Sequence, residues 1–145
     1  YKRFEDNSFA PTYVNWGGDN RGVAIRTVVD HGAATRIEVR TASADANPHL
    51  VLAGQLAATV DALETDYTLP PMCTGNGYAE QDAPLMPRSL AESIEALEKD
   101  HEFLLRGDVF TRDLLETWME MKREREIDPV RLRPVPYEFF LYYDC

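Results

Sequence analysis

Three short stretches near the start of the chain combine strand-forming residues with turn residues between them. TYVNW at 12–16 and GVAIRTVV at 22–29 are rich in β-branched and aromatic residues, and the GGDN between them has the composition of a hairpin turn. RIEVR at 36–40 then alternates charged and β-branched residues. Because the connections are too short for parallel crossovers, the pattern predicts three strands in antiparallel succession.

Beyond residue 40 the apolar residues change to a helical period. Asn47 followed by Pro48 is typical of a helix start, since Asn caps free amides and Pro fits the first turn. The spacing predicts a helix from about 48 to 65 that packs on the core. The apolar positions assigned to this helix are Val51, Leu52, Leu56, Val60 and Leu63.

The C-terminal half contains a long loop and further helix signals. Residues 67–88 hold four prolines and two glycines without a sustained period, which indicates a loop. Ser89 with Glu92 forms a capping box and predicts a helix over about 90–99. The predicted class is therefore α+β, with antiparallel strands in the first 40 residues and a helical C-terminal half.

Two more helices are predicted near the end of the chain. Thr111 can cap a helix that ends near Asp128 and Pro129. Its predicted inward residues are Leu114, Leu115, Trp118 and Met119. YEFFLYY fits a short helix or a strand, and Pro136 in a first turn favours the helix.

Composition narrows the class of protein. A chain of 145 residues with 44% hydrophobic content has room for one domain with a real core. No apolar run approaches the ~20 residues of a membrane span, so we expect a soluble protein without a membrane partner. Cys73 and Cys145 lie far apart without other ligands at metal-site spacing. This cysteine usage predicts a reducing, cytoplasmic location.

The charge is unevenly distributed along the sequence. The net charge is −10, yet residues 1–40 hold six Lys and Arg against five Asp and Glu, so the remaining 105 residues carry −11. An acidic protein is a poor partner for nucleic acid, whose binding depends on neutralising many phosphates. The first forty residues can still hold a small, multiply charged anion with a few arginines.

RIEVR is the candidate centre of such a site. On a strand, Arg36, Glu38 and Arg40 share one face at a spacing of roughly 6.5 Å. Two interpretations are open from these residues alone. In the ladder interpretation, the three side chains form a solvated or salt-bridged strand face; in the other, the arginines among them hold a small, multiply charged anion.

A series of motifs, in order and with compatible spacing, resembles the C-terminal part of the glutamine synthetase family. The series covers essentially the whole chain, and we interpret residues 1–145 as a C-terminal segment of such a catalytic domain and as a piece of a longer chain. The motifs are YKR at 1–3, AP at 10–11, Trp16, NR at 20–21, IR at 25–26, RIEVR, DANP at 45–48, SLAESIEALEKD at 89–100, VFT at 109–111 and PYEFFLYYD at the end.

The resemblance implies an ATP-dependent ligase that joins glutamate to an amine through γ-glutamyl phosphate, with Mg²⁺ or Mn²⁺. Glu38 matches the family's metal-binding strand carboxylate. Arg36 and Arg26 match nucleotide-binding arginines, and Arg21 and Arg40 match catalytic arginines beside the transferring phosphoryl group. Arg3, together with Arg40, matches the substrate-binding arginines, Arg3 being the one that binds the glutamate carboxylate.

The resemblance also implies partners that lie outside this sequence. In the family, other metal ligands precede this segment, and neighbouring subunits of a ring-shaped homo-oligomer complete the active site. We therefore expect the 145 residues alone to lack ligase activity. A non-catalytic binding or assembly domain derived from the family is the alternative, although five retained arginines around Glu38 favour the catalytic interpretation.

The loop between the YKR motif and the AP pair, FEDNSFAP at 4–11, resembles the family's flap loop and bears on the choice of amine. Glutamine synthetases proper carry a glutamate just before the AP pair, and this chain has Phe9 there. A phenyl ring accepts no proton, so the substitution favours an organic amine, as in the γ-glutamylpolyamine and γ-glutamylamide branch of the family. Ammonia stays the alternative, because Glu5 or Asp6 could supply the missing carboxylate. Tyr78 lies near the family's adenylylated tyrosine, but its surroundings depart from that pattern and argue against modification.

Overall fold

A small sheet followed by helices makes up the fold, which confirms the predicted α+β class. The computed structural model describes residues 3–6, 8–79 and 82–144, so Cys145 and the first two residues of the YKR motif lie outside the described residues. The strands are β1 (Trp16–Gly18), β2 (Ile25–Val28) and β3 (Arg36–Val39), in the order β1-β2-β3. The α-helices are α1 (Pro48–Glu64), α2 (Leu90–Lys99), α3 (Arg112–Lys122), α4 (Asp128–Arg131) and α5 (Pro136–Tyr142).

Strands β1 and β2 are parallel, so the antiparallel pairing predicted for them is wrong. The register joins Trp16 to Ile25 and Gly18 to Thr27. A strand of three residues is only about 10 Å long, and the short loop after it easily returns to its start. Asn20 holds that loop, because its Oδ1 accepts from the Gly22 amide at 2.8 Å and its Nδ2 donates to the Gly75 carbonyl at 2.9 Å.

Strands β2 and β3 are antiparallel, as predicted. Arg26 pairs with Glu38 across the two strands, and Val28 pairs with Arg36. The β3 strand ends at Val39, so Arg40 lies just beyond it, with its amide donating to the Ala24 carbonyl at 2.9 Å. This register places the charged side chains of the two strands next to one another.

Helix α1 has the predicted bounds but not the predicted inward face. Asn47 caps it, accepting from the His49 and Leu50 amides. The side chains that pack on the core are Leu50, Ala53 and Ala57. Of the five predicted inward residues, Val51 is half-buried and the others are exposed, namely Leu52, Leu56, Val60 and Leu63. Helix α1 carries two apolar stripes, and the periodicity did not distinguish which of them meets the core.

The remaining helices surround one apolar core. Ser89 caps α2 and Thr111 caps α3, both as predicted. A 3₁₀ segment at Glu102–Asp108, which the pattern did not predict, contributes Leu104 to the core. The buried core residues are Ile94, Leu104, Phe110, Leu115 and Met119.

Helix α3 departs from its prediction in two respects. Leu114, predicted to face inward, is exposed, and Trp118 is half-buried. The helical path does not end at Asp128 and Pro129 but continues through a π-helical turn, Arg123–Ile127, into α4. The Asp128 amide donates to the Arg123 carbonyl, and Pro129, which has no amide proton, lies in the first turn of α4 directly after the π-helical turn.

The long loop and the chain end agree with their predictions. Residues 67–88 contain no helix or strand among those described, apart from a 3₁₀ turn at Gly77–Ala79 and a single bridge between Tyr13 and Leu85. The loop runs along the sheet, where the Cys73 amide donates to the Trp16 carbonyl at 2.9 Å. The last segment forms the helix α5. In the part of the chain that the structure describes, the helices are too short or too polar to cross a membrane.

Candidate functional site

Four charged side chains on and beside the sheet form the strand cluster, which we define as Asp19, Arg26, Arg36 and Glu38. Arg26 Nη1 lies 2.7 Å from Glu38 Oε2, and Arg36 Nη2 lies 2.7 Å from Glu38 Oε1. Arg26 also binds Asp19, with its Nε 3.1 Å from Asp19 Oδ1. The cross-strand pairing of Arg26 with Glu38 produces this arrangement directly.

The arginines keep both carboxylates of the strand cluster ionised. Hydrogen bonds from Arg26 and then from Arg36 hold the pKa of the Glu38 carboxyl below its usual value. A hydrogen bond from Arg26, and then its positive charge, lower the pKa of Asp19. The same contacts raise the pKa of Arg26. At neutral pH the cluster therefore holds two carboxylates and two guanidinium groups.

Glu38 is suited to be one ligand of a divalent cation. An ionised carboxylate has about four lone-pair positions, and each Glu38 oxygen directs one of them to an arginine. The Glu38 side chain is 31% exposed, and carboxylate oxygens are the ligands that Mg²⁺ prefers. Within residues 3–6, 8–79 and 82–144, no group of three or more His, Cys, Asp or Glu is placed to hold a metal ion.

The ladder interpretation of RIEVR holds for two of its three charged residues. Arg36 and Glu38 form an ion pair, but Arg40 contacts neither of them. Arg40 instead donates to three backbone carbonyls: those of Arg21, Val23 (3.1 Å) and Phe9 (3.4 Å). Arg40 therefore joins the flap loop to the loop between β1 and β2.

The predicted site arginines divide between two neighbouring regions. Arg26 and Arg36 belong to the strand cluster, whereas Arg40 and the backbone of Arg21 meet beyond the end of β3. The Arg21 side chain is exposed and makes no hydrogen bond or ion pair with the described part of the chain. Arg3 reaches the same end of the sheet, because its Nη1 donates to the Ala42 carbonyl. The roles assigned to these residues stay predictions.

Phe9 projects from an anchored loop. Its φ is 59°, a left-handed conformation that is strained for an aromatic residue, and the residue is 83% exposed. Ala10, Pro11 and Thr12, which follow it, are buried. The flap position is therefore held firmly at its C-terminal side while the phenyl ring faces outward.

Two contributors to the site were missed from the sequence. Asp19 was assigned to a hairpin turn, yet it lies past β1 with its amide bonded to the Thr27 carbonyl, which brings its carboxylate to Arg26. Tyr78 was considered only for modification, yet its hydroxyl lies 3.2 Å from the Phe9 carbonyl and 3.2 Å from the Arg21 carbonyl. No local signal marks either residue, because both contacts depend on the parallel pairing and the path of the long loop.

Comparison with known proteins identifies the family to which this arrangement belongs. The chain is 38% identical over 157 residues to a glutamine synthetase of Mycobacterium bovis. The aligned region covers 99% of the chain and 32% of that relative. It resembles the structure of a GmaS/ADP complex with a TM-score of 0.78 and 26% identity, covering 94% of the chain and 30% of that protein. A glutamine synthetase of Plasmodium falciparum shares the fold, with a TM-score of 0.74 and 21% identity, over 98% of the chain and 38% of that protein.

The family profile agrees with the individual relatives and extends over nearly the whole chain. The chain spans about a third of the length of the curated relatives that it matches. The profile described as "Glutamine synthetase, catalytic domain" matches residues 1–142, which includes the strand cluster and all the predicted site arginines. On this match, the chain belongs to the glutamine synthetase family.

Proposed function

We propose that this chain is the C-terminal segment of the catalytic domain of an ATP-dependent ligase that joins the γ-carboxylate of glutamate to an organic amine. The reaction proceeds through γ-glutamyl phosphate, and neighbouring subunits of a ring-shaped homo-oligomer complete the site. The observation that carries the choice of amine is the exposed Phe9 in the flap, held at a strained φ of 59°.

The charges of the site suit phosphoryl transfer between two anions. Such transfer depends on positioning and electrostatic stabilisation more than on covalent chemistry by the protein. Arg36 and Arg21 offer exposed guanidinium groups to phosphate oxygens, and Arg3 and Arg40 lie at the adjacent end of the sheet for the glutamate carboxylate. Glu38 would be one ligand of a bound Mg²⁺ or Mn²⁺, which would supply positive charge to neutralise the phosphates.

Phe9 supplies a surface for an amine that bears carbon. Its ring contacts an alkyl chain, or an ammonium group by a cation–π interaction of about 0.5–2 kcal/mol. The ring neither accepts a proton nor offers a full negative charge, so ammonium gains less from it than from a flap carboxylate. These properties support an amine such as a polyamine or ethanolamine over ammonia.

Ammonia is the second candidate, because the curated relative of Mycobacterium bovis is described as a glutamine synthetase. Asp6 is the nearest acidic alternative in the flap, and its Oδ1 lies 3.9 Å from Arg88 Nη2, a distance that leaves it weakly held. Swinging of Asp6 or Glu5 toward the amine would restore the missing carboxylate.

Steady-state kinetics of the full-length protein decide between the two amines. We expect kcat/KM for at least one of putrescine, spermidine and ethanolamine to exceed that for ammonia. Phe9→Glu should shift the preference toward ammonia, whereas Phe9→Gln, which has nearly the same size without the charge, should not. A kcat/KM for ammonia equal to or above that of every organic amine would contradict the proposal.

A further inference from the structure

Tyr78 extends from a segment that is firmly docked on the loop between β1 and β2. Gly77 is buried so closely against this loop that a Cβ there would lie 2.6 Å from the backbone carbon of Gly22. The Asn15 side chain donates to the Gly77 carbonyl at 3.0 Å, and the Asn76 side chain accepts from the Tyr78 amide at 3.1 Å. The backbone of Tyr78 is therefore held at its N-terminal side.

The phenol group of Tyr78 reaches two carbonyls that are distant in sequence. Its oxygen lies 3.2 Å from the carbonyl of Phe9 and 3.2 Å from that of Arg21, which are 69 and 57 residues away along the chain. A phenol has one proton to donate, so it serves these two acceptors by sharing or alternating between them. The hydroxyl thus stands between the flap loop and the loop that carries Arg21.

Arg40 donates to the same two carbonyls from another direction. Its Nη2 lies 3.4 Å from the Phe9 carbonyl, and its Nη1 donates to the Arg21 carbonyl. The guanidinium and phenol groups come from different parts of the chain, one just past β3 and one from the long loop. We name this set of contacts, formed by Tyr78, Arg40 and the carbonyls of Phe9 and Arg21, the loop anchor.

The loop anchor holds the backbone of two residues whose side chains are exposed. Phe9 has a left-handed φ of 59°, which surrounding contacts must maintain because an aromatic residue leaves this region readily. Arg21 directs an exposed guanidinium outward from the adjacent loop. A contact that joins their carbonyls sets the distance between the flap and this arginine.

We propose that Tyr78 is a positioning residue whose hydroxyl fixes the flap residue Phe9 relative to Arg21, and so sets the affinity for the amine. This proposal rests on the proposed function, because it assumes that the amine binds on the side of the site where the flap lies. Tyr78 touches no reacting atom in this scheme, because it acts through the two carbonyls. The Gly77–Tyr78 peptide unit is held by Asn15 and Asn76, and the hydroxyl is the part of Tyr78 that contacts the flap.

The test removes the hydroxyl and keeps the ring. Tyr78→Phe is compared in the full-length protein with Tyr67→Phe, a matched control in which the lost hydroxyl donates to Asp61 Oδ2 at 3.0 Å, at the end of α1. Hydrogen–deuterium exchange is followed for peptides that cover residues 8–14 and 20–24, and KM and kcat are measured for the preferred amine, for ATP and for glutamate.

We expect Tyr78→Phe to speed amide exchange in both peptides and to raise the amine KM about threefold to tenfold, the size expected for loss of one net hydrogen bond. Because the same contact holds the loop that carries Arg21, the KM for ATP or kcat should also change, and the amine KM is the readout for the flap. Tyr67→Phe should change neither exchange nor amine KM. Because Tyr67→Phe also removes a bonded hydroxyl, a general loss of stability would affect both variants.

Two results would overturn the proposal. One is that amide exchange of both peptides in Tyr78→Phe is no faster than in Tyr67→Phe. The other is that exchange in Tyr78→Phe is faster while the KM for the amine is unchanged. These outcomes are separate from those of the amine comparison. If ammonia proves the preferred amine, the proposed function fails, yet Tyr78→Phe should still loosen the flap and raise the KM for ammonia. If an organic amine is preferred while the flap exchange is unchanged, the positioning role fails by itself.

Discussion

The ion pairs that Glu38 forms with two arginines are compatible with a role as a metal ligand. Its two oxygens accept from Arg26 and Arg36, which orients the carboxylate and keeps it ionised. Carboxylates that bind metals commonly need such outer partners to direct their free lone pairs. An ion pair within the sheet is therefore an expected companion of a metal-ligand role at Glu38, and the two interpretations of RIEVR differ in what a substitution would do.

Glu38→Gln should separate a metal-ligand role from an ion-pair role. The amide keeps the shape of the side chain but loses the charge, so we expect the Mg²⁺ or Mn²⁺ concentration for half-maximal activity to rise at least about 100-fold, or turnover to be lost. Asp19→Asn is the control, because Asp19 binds the same Arg26. It should shift the metal requirement by about tenfold or less.

Metal titrations of activity in the full-length protein measure both effects. Equal shifts for Glu38→Gln and Asp19→Asn would show that Glu38 acts through Arg26 and not as a ligand. A retained metal requirement combined with a lower melting temperature would support the ladder interpretation.

The long loop and the sheet are joined through a close contact of two glycines. A Cβ at Gly77 would lie 2.6 Å from the Gly22 backbone carbon and 2.7 Å from its oxygen, distances that no backbone shift of a few tenths of an ångström relieves. Asn15 bridges the same region, because its side chain bonds both the Gly77 carbonyl and the Ala24 amide. This contact places Tyr78 and thereby the loop anchor.

Gly77→Ala should destabilise the protein by about 1–3 kcal/mol, the usual cost of overpacking a tight site. Gly75→Ala is the matched control two residues away, where a Cβ would meet nothing within 4 Å, and it should be close to neutral. Chemical denaturation of the two variants measures the difference. Equal stabilities would mean that the loop does not pack as closely as the structure shows.

The whole chain shows many apolar side chains at its surface. The α1 stripe defined by Leu52, Leu56, Val60 and Leu63 is exposed, and so are the aromatic residues of α5. Together with a length of about a third of the relatives, these features fit the proposal that the site is completed by further chain and by neighbouring subunits.

The isolated 145 residues should therefore show no ligase activity. Phosphoryl transfer needs metals and phosphate-binding groups on several sides, and this chain offers one candidate metal ligand and a set of arginines. Phosphate release is measured with ATP, Mg²⁺, glutamate and an amine, with the full-length protein as the positive control. Release above background by the isolated chain would refute this expectation.

Features that depend on a few neighbouring residues could be predicted from the sequence. Asn47, Ser89 and Thr111 each cap the helix that was expected to follow, because a cap bonds amides only two or three residues away. The pairing of β2 with β3 followed in the same way from alternation and a short connection. The motif series likewise identified the family, since it depends on residue identity and order.

Features that depend on distant contacts were decided by the tertiary structure. The loop after β1 returns in parallel because Asn20 bonds Gly75, a residue 55 positions away, and no local pattern reports such a bond. The inward stripe of α1 was selected by the core that it meets, since both of its stripes are apolar. The guanidinium of Arg40 does not lie beside Arg36 and Glu38 on the strand face. Because β3 ends at Val39, it donates instead to carbonyls of two loops that lie within reach. Residue types and their spacing thus determined the local elements and the candidate chemistry, whereas long-range hydrogen bonds and packing determined which of those residues meet.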